Sequence, residues 1–320
     1  MSALPAPDER PIEDPAPEPF TARAADGYPV KGFLWHEPGP VARPVVILNA
    51  ATSVRCRYYF RFARFLFAHG FDVVAYDYRG IGESRPARLA GFKAGWVEWG
   101  DLDFEAVLRH VSERLPGRPI DVVAHSIGGF VTGLAASAPK LRRIVTMGAQ
   151  YAYWRDYAPG ARLGMLAKWH VAMPALAALY GYFPGRRLGW LEDTPSGVVR
   201  DWAFSRARFE ETRGSDGELL RRRLGAVTAP ILALSVTDDP FGTVPAIERV
   251  LDYFTGSDRT HLRLSPDTAG VAEIGHFAFF NSRFEHSLWP IPLAWLQTGA
   301  LPGTVPGEVV GYRSASLPPA

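Results

Sequence analysis

A single cysteine, Cys56, in 320 residues leaves no internal disulfide to form, and that excludes the small disulfide-stapled scaffolds of secreted domains. One unpaired thiol suits a reducing compartment, so the expected location is the cytoplasm. Charge of one sign is not in excess either. The chain has 35 Lys and Arg against 33 Asp and Glu, a formal net charge of +2, so composition gives no footprint for a nucleic-acid partner. Long apolar runs are missing as well. The best stretch, Leu166 to Phe183, is interrupted by Lys168, His170 and Pro174, short of the roughly 20 apolar residues that cross a bilayer, and no membrane span is expected. The histidines are scattered and never take ligand spacing with Cys or acids, so no metal is expected. Residues 1–19 are rich in Pro, Asp and Glu and lack the basic-then-apolar order of a signal peptide. They read as a loose arm. Residues 301–320, with four prolines, read as a tail outside the core or draped over it.

What is present is ample apolar material. At 47% hydrophobic residues the chain can bury one large core, or a core plus an inserted lobe. Phe20 to Ala24 and Val30 to Trp35 read as strands joined at Asp26-Gly27. Buried strands follow at Pro44 to Asn49, Phe71 to Tyr76, Ile120 to Ala124, Leu141 to Met147 and Ile231 to Val236. Between them lie amphipathic stretches of helical period, such as Arg55 to His69 with Tyr58, Phe62, Phe65 and Leu66 on one face and Gly70 as its stop. This alternation predicts an α/β fold, a doubly wound and mostly parallel sheet covered by helices. The pattern fails between residues 151 and 224, which are rich in Trp and Tyr, carry no strand-type run and are punctuated by Pro174, Pro184 and Pro195. That segment is expected to be a helical cap inserted into a core made of residues 20–150 and 225–300.

The chemistry centres on Ile120 to Phe130. A run of β-branched residues leads into His125-Ser126-Ile127-Gly128-Gly129, and then a helix pattern begins. A serine on a sharp strand-to-helix turn with tiny residues two positions away, here Ala124 and Gly128, fits a strained elbow that presents its hydroxyl above a sheet. The alternative is that Ser126 only caps the helix. A serine nucleophile needs a base and a group that orients the base. Two later loops supply them in order: Thr237-Asp238-Asp239-Pro240 directly after a strand, and Gly275-His276-Phe277.

The elbow, the Asp-Asp-Pro loop and the Gly-His-Phe loop together resemble an α/β-hydrolase, of the broad serine aminopeptidase, esterase and lipase-like grouping with a helical cap. The likeness covers about Phe20 to Thr298. It implies Ser126 as nucleophile, His276 as general base and acid, and Asp239, rather than Asp238, as the residue that fixes the imidazole tautomer. It further implies an oxyanion hole from the backbone N–H of Ile127 and of Ala51, or of Ala50 next to it. Ala124 replaces the usual first glycine of the elbow, and Asn49-Ala50 replaces a common His-Gly pair. The implied activity is cleavage of a carboxylic ester, less readily an amide, through an acyl-serine, with no cofactor. The substrate is expected to be a small acyl compound, apolar or aromatic. Trp154 and Trp169 are candidate substrate contacts from the aromatic-rich segment. The same residues could instead transfer the acyl group to an acceptor other than water, or the fold could serve binding without catalysis.

The remaining signals weigh less. Gly80-Ile81-Gly82 lacks the third glycine and the downstream acid of a dinucleotide loop. His125 is expected to pack or orient the elbow. Arg186-Arg187 and Arg221 to Arg223 read as solvated faces. The sequence assigns no oligomeric state.

Overall fold

The computed structural model describes residues 16–39, 42–212 and 216–315. Nine strands form one sheet: β1 (Glu18–Arg23), β2 (Pro29–Trp35), β3 (Val45–Asn49), β4 (Asp72–Tyr76), β5 (Ile120–His125), β6 (Arg143–Met147), β9 (Ile231–Val236), β10 (Arg259–Leu264) and β11 (Gly307–Arg313). A separate two-stranded ribbon, β7 (Tyr182–Phe183) and β8 (Thr194–Pro195), lies between β6 and β9 in the chain. The order across the sheet is β1-β2-β4-β3-β5-β6-β9-β10-β11. The six strands from β4 to β10 run parallel, while β1, β2 and β11 pair antiparallel at the two edges.

Burial explains why these segments are strands. Every residue of β3, β4, β5 and β9 is buried, as expected where helices cover both faces of a parallel sheet. The helix Phe60–Ala68 shows the covering layer. Phe62, Ala63, Phe65 and Leu66 fall on one face and are buried, and Phe62 and Phe65 each meet Trp289 with ring centres 5.1 Å apart. Each such side chain contributes about 1.5–3 kcal/mol by leaving water. The helix stops before Gly70, whose φ of +90° reverses the chain into β4 at no steric cost.

Four strands went unread in the sequence: the two-residue β7 and β8 of the ribbon, inside the segment expected to carry no strand, and β10 and β11 of the main sheet. In β10, Arg259-Thr260-His261-Leu262-Arg263-Leu264 carries polar residues where an interior strand carries aliphatics. They are accommodated by pairing: fully buried His261 lies 2.7 Å from Ser235 Oγ through Nε2 and 2.7 Å from Glu248 Oε1 through Nδ1. The tail, expected to lie outside the core or drape over it, supplies a largely exposed edge strand. Its residues 307–313 pair with β10 across a β-bulge, because an otherwise open sheet edge leaves a row of backbone groups unpaired. At the other end β1 begins at Glu18 and so takes in the last two residues of the expected arm; residues 1–15 and 316–320 lie outside the described residues.

Between β6 and β9 the chain forms helices at Arg162–Met165, Met173–Tyr180, Gly185–Leu188, Ser196–Ala203 and Gly217–Gly225. Pro174 does not break the chain here. A π-helical turn, Leu166–Ala172, joins the first two helices, and its wider turn, with i→i+5 bonding, accommodates the proline, so residues 162–180 run on as one helical rod. This insert touches the loops at the carboxyl ends of the parallel strands. Ser53 Oγ bonds Thr194 Oγ1 at 2.5 Å, and the Glu192 N–H donates to Ser53 O at 3.1 Å.

The elbow depends on one close approach. A methyl added to Gly128 would stand 2.4 Å from the carbonyl oxygen of Asn49 and 2.9 Å from that of Ala50, backbone atoms that cannot swing away as a side chain could. Gly128→Ala is expected to cost about 1–3 kcal/mol through overpacking and to lower the melting temperature by several degrees. Gly160→Ala, where nothing lies within 4 Å, should melt with the wild type; equal melting of the two variants would refute this packing.

Candidate active site

Ser126 follows the last residue of β5 and precedes the helix Ile127–Thr132. Its backbone is held at φ 55°, ψ −126°, a conformation that costs a non-glycine residue on the order of 1–3 kcal/mol and persists only where the surroundings enforce it. Ser126 N–H donates to Met147 O at 2.9 Å, tying the turn to β6, and Gly128 lets the helix start press against the Asn49-Ala50 loop. The Ile127 amide, at the first helical position, has no acceptor within its own helix and stands at the positive end of the helix.

Asp239 lies on the loop after β9, and His276 on the loop between β10 and the helix Pro290–Thr298. Their side chains meet, with Nδ1 2.7 Å from Oδ2, and both residues are buried. Burial alone would raise the pKa of Asp239. The neighbouring imidazole and the backbone N–H groups of Gly242 and Phe241 outweigh it and hold the carboxyl below the ordinary carboxylate value. An imidazole with Nδ1 bound to a buried carboxylate keeps its lone pair at Nε2 and can take a proton there. Gly148 makes room for the pair, since a side chain at its φ of +59° would begin 3.0 Å from the His276 ring.

The neighbouring Asp238 does different work. Its carboxylate accepts the N–H groups of Ile274 and Gly275 at 2.9 and 3.0 Å, so it shapes the loop that carries His276 without touching the imidazole.

His125 ties the elbow to the same loop. Its Nε2 is 2.9 Å from the carbonyl oxygen of His276, which can only accept, so Nε2 carries the hydrogen. Nδ1 then accepts from the Tyr59 hydroxyl at 2.8 Å, and Tyr59 Oη in turn accepts the Ala51 N–H at 3.0 Å. Burial, with the nearby His276 adding to it, lowers the pKa of His125 to about 3. Between about pH 3 and 6.5 the unfolded chain binds a proton at this residue that the folded chain refuses, so its contribution to stability rises with pH through that window and is lost on acidification. His125→Gln should flatten the acid limb of a stability-versus-pH curve by up to about 1.4 kcal/mol per pH unit. An unchanged slope would show that His125 is charged in the fold.

The structure also engages the Ala51 amide, the expected second oxyanion donor. It is bound to buried Tyr59, and the donor at that place is spent unless the tyrosine releases it. Ala50 follows Asn49 in the same loop. Trp169 is buried, stacked on Trp202 at 4.9 Å and 6.3 Å from Phe241, which itself lies 4.9 Å from the His276 ring. Trp154 is half-buried beneath the Arg155 guanidinium and shares no ring contact with His276.

Gln150 is a site residue that sequence reasoning missed. Its Nε2 donates to Ser126 Oγ at 3.2 Å, and its Oε1 accepts the N–H of Ala152, a residue held at φ 58°. Ser126 and His276 are not hydrogen-bonded to each other in this structure. The available signal was position: Gly148-Ala149-Gln150 directly follows β6, and ligand groups of an open parallel sheet gather beyond the carboxyl ends of its strands. Among the described residues no three His, Cys, Asp or Glu side chains cluster as a metal ion requires.

A strained serine at the carboxyl edge of a mostly parallel sheet, with a buried Asp–His pair on two later loops, defines the α/β-hydrolase class. Comparison with protein families agrees: residues 45–285 match the model of the alpha/beta hydrolase family, and the chain belongs to that family. Solved structures share the fold at low identity. An esterase of Pyrococcus furiosus superposes with a TM-score of 0.56 at 11% identity, covering 89% of this chain and 91% of its own. The monoacylglycerol lipase of Paleococcus ferrophilus gives 0.54 at 16%, over 85% and 99%, and a Mycobacterium tuberculosis puromycin-hydrolyzing peptidase gives 0.56 at 15%, over 95% of this chain and 42% of that one. No curated protein matches the sequence. No helix among the described residues is long and apolar enough to cross a membrane.

Proposed function

We propose that the protein is a serine hydrolase that cleaves a carboxylic ester of a small apolar or aromatic acyl compound, and an amide less readily, using Ser126, His276 and Asp239. The observation that carries this reading is the 2.7 Å contact of buried Asp239 with His276, in the family fold and beside a serine at φ 55°. Ser126 turns from Gln150 to His276, and its Oγ attacks the acyl carbon as Nε2 takes the hydroxyl proton. The oxyanion that forms is met by the Ile127 N–H, a donor of a kind worth about 3–4 kcal/mol when well placed. Collapse expels the alcohol, which takes the proton from His276. Water, deprotonated by the same imidazole, then frees the acid and restores Ser126.

The apolar acyl preference rests on what surrounds the pair. Phe241 packs on His276 with ring centres 4.9 Å apart, and Trp169 and Trp202 each stand 6.3 Å from Phe241. A cleft of about 390 Å³ opens beside the His276 loop between the core and the insert, lined by Tyr58, Trp190, Leu191 and Phe277 together with Arg55, Arg57 and Glu192 among others. That size suits a small ligand. We assign the insert the role of a cap, with Trp169 as a wall of the acyl site; Trp154 is the weaker candidate for substrate contact. The test is labelling of the folded protein by a serine-directed fluorophosphonate, followed by esters of graded chain length with and without added alcohols or amines. Labelling at Ser126 with release of free acid alone supports hydrolysis. Acylated alcohol or amine as product would make the chain an acyltransferase, and absence of label would reject a serine mechanism.

A further inference from the structure

The helical rod of residues 162–180 is apolar on both sides. Met165, Trp169, Met173 and Ala177 point into the insert and are buried. The outward positions, spaced by about four, are Leu163, Ala167, Val171, Ala175 and Leu179, and among them Leu163, Val171 and Leu179 are 78%, 62% and 75% exposed. A surface helix ordinarily turns charge toward water, and a helix that is apolar all round has something apolar on its far side. The charge of the segment says what. From residue 157 to 191 there is no Asp or Glu, while Arg162, Lys168, Arg186 and Arg187 are cationic. Lys168 lies over the Trp169 and Trp190 rings, Arg186 pairs at 3.9 Å with Glu192 just beyond the segment, and both Arg186 and Arg187 are exposed.

We propose that this face docks peripherally on an anionic lipid surface, with Leu163, Val171 and Leu179 entering the acyl boundary and the cations meeting the head groups. A second copy of the chain is the competing occupant. A two-fold contact would set this predominantly positive segment against itself, and like charges across an interface are repulsive. Arg162, Lys168 and His170 interrupt the rod, which is not apolar enough to cross a bilayer, so it lies along the surface. Docking would turn the insert, and the cleft under it, toward the lipid.

The test uses the full chain carrying Ser126→Ala, so that its readout does not depend on the proposed chemistry. Co-sedimentation is measured with vesicles of phosphatidylcholine and phosphatidylglycerol in a seven-to-three mixture, and with phosphatidylcholine alone. Binding to the mixed vesicles is expected to be at least about tenfold tighter, and to weaken at high salt as the head-group attraction is screened. Val171→Glu with Leu179→Glu should lower binding by about tenfold or more. Arg186→Ser with Arg187→Ser, which leaves the apolar face intact, should abolish the preference for the anionic lipid. Melting curves matching the parent show that the variants fold. The proposal is overturned if the parent does not sediment with the anionic vesicles, or if both variants bind as it does. It is also overturned if the chain self-associates in solution and the Glu variant only dissociates it.

Discussion

Ser126→Ala is expected to abolish fluorophosphonate labelling and to lower ester turnover by a factor on the order of 10⁶ in kcat. The size of the effect follows from what Oγ does. No other hydroxyl stands at the elbow to take its place, and what remains is the help of the Ile127 N–H and of substrate binding. The fold should survive. Alanine accepts the same φ of 55° that serine endures, so the variant should melt close to the wild type. Ser126→Gly should melt at the same temperature or higher, because glycine carries no penalty at positive φ. Lost turnover with unchanged melting assigns the loss to chemistry. Turnover surviving in Ser126→Ala would end the proposed mechanism.

Asp239→Asn should cost about 10⁴-fold in kcat, whereas Asp238→Asn should change kcat/KM less than about tenfold. Both residues are acids on one loop, and geometry separates them. Asp239 Oδ2 meets His276 Nδ1, so an amide there can present its NH₂ to the ring, favour the tautomer protonated at Nε2 and remove the charge that supports the imidazolium. Asp238 accepts two backbone N–H groups of the histidine loop. Its amide variant loses part of that acceptance, a charge-assisted interaction worth about 1–3 kcal/mol, and should show in melting temperature before it shows in rate. Activity profiles and melting curves of the two variants, measured side by side, check the assignment; equal rate losses would contradict it.

The same comparison shows what a sequence carries. Fully buried strands such as Val45–Asn49 and Ile120–His125 are legible because burial on both faces writes a continuous β-branched run. The elbow is legible because close backbone approach tolerates only a residue like Gly128. The helix Phe60–Ala68 is legible from its period and its stop at Gly70. Strand Arg259–Leu264 was not, because its polar residues are satisfied by Ser235 and Glu248 on other elements, and no local pattern records a partner that distant. Pro174 misled for a related reason: a π-turn one step earlier absorbed it.

The sequence by itself determined the alternation of strand and helix, the strained turn at Ser126 and the order of the acid and histidine loops, since each is a local property of a few adjacent residues. Only the tertiary structure decided that Asp239 and not Asp238 meets His276, that the Ala51 amide is held by Tyr59, that Gln150 reaches Ser126, and that the outer face of residues 162–180 is bare. Those are distances between segments far apart in the chain. They are set by how the sheet and its covering layers pack, which no single segment encodes.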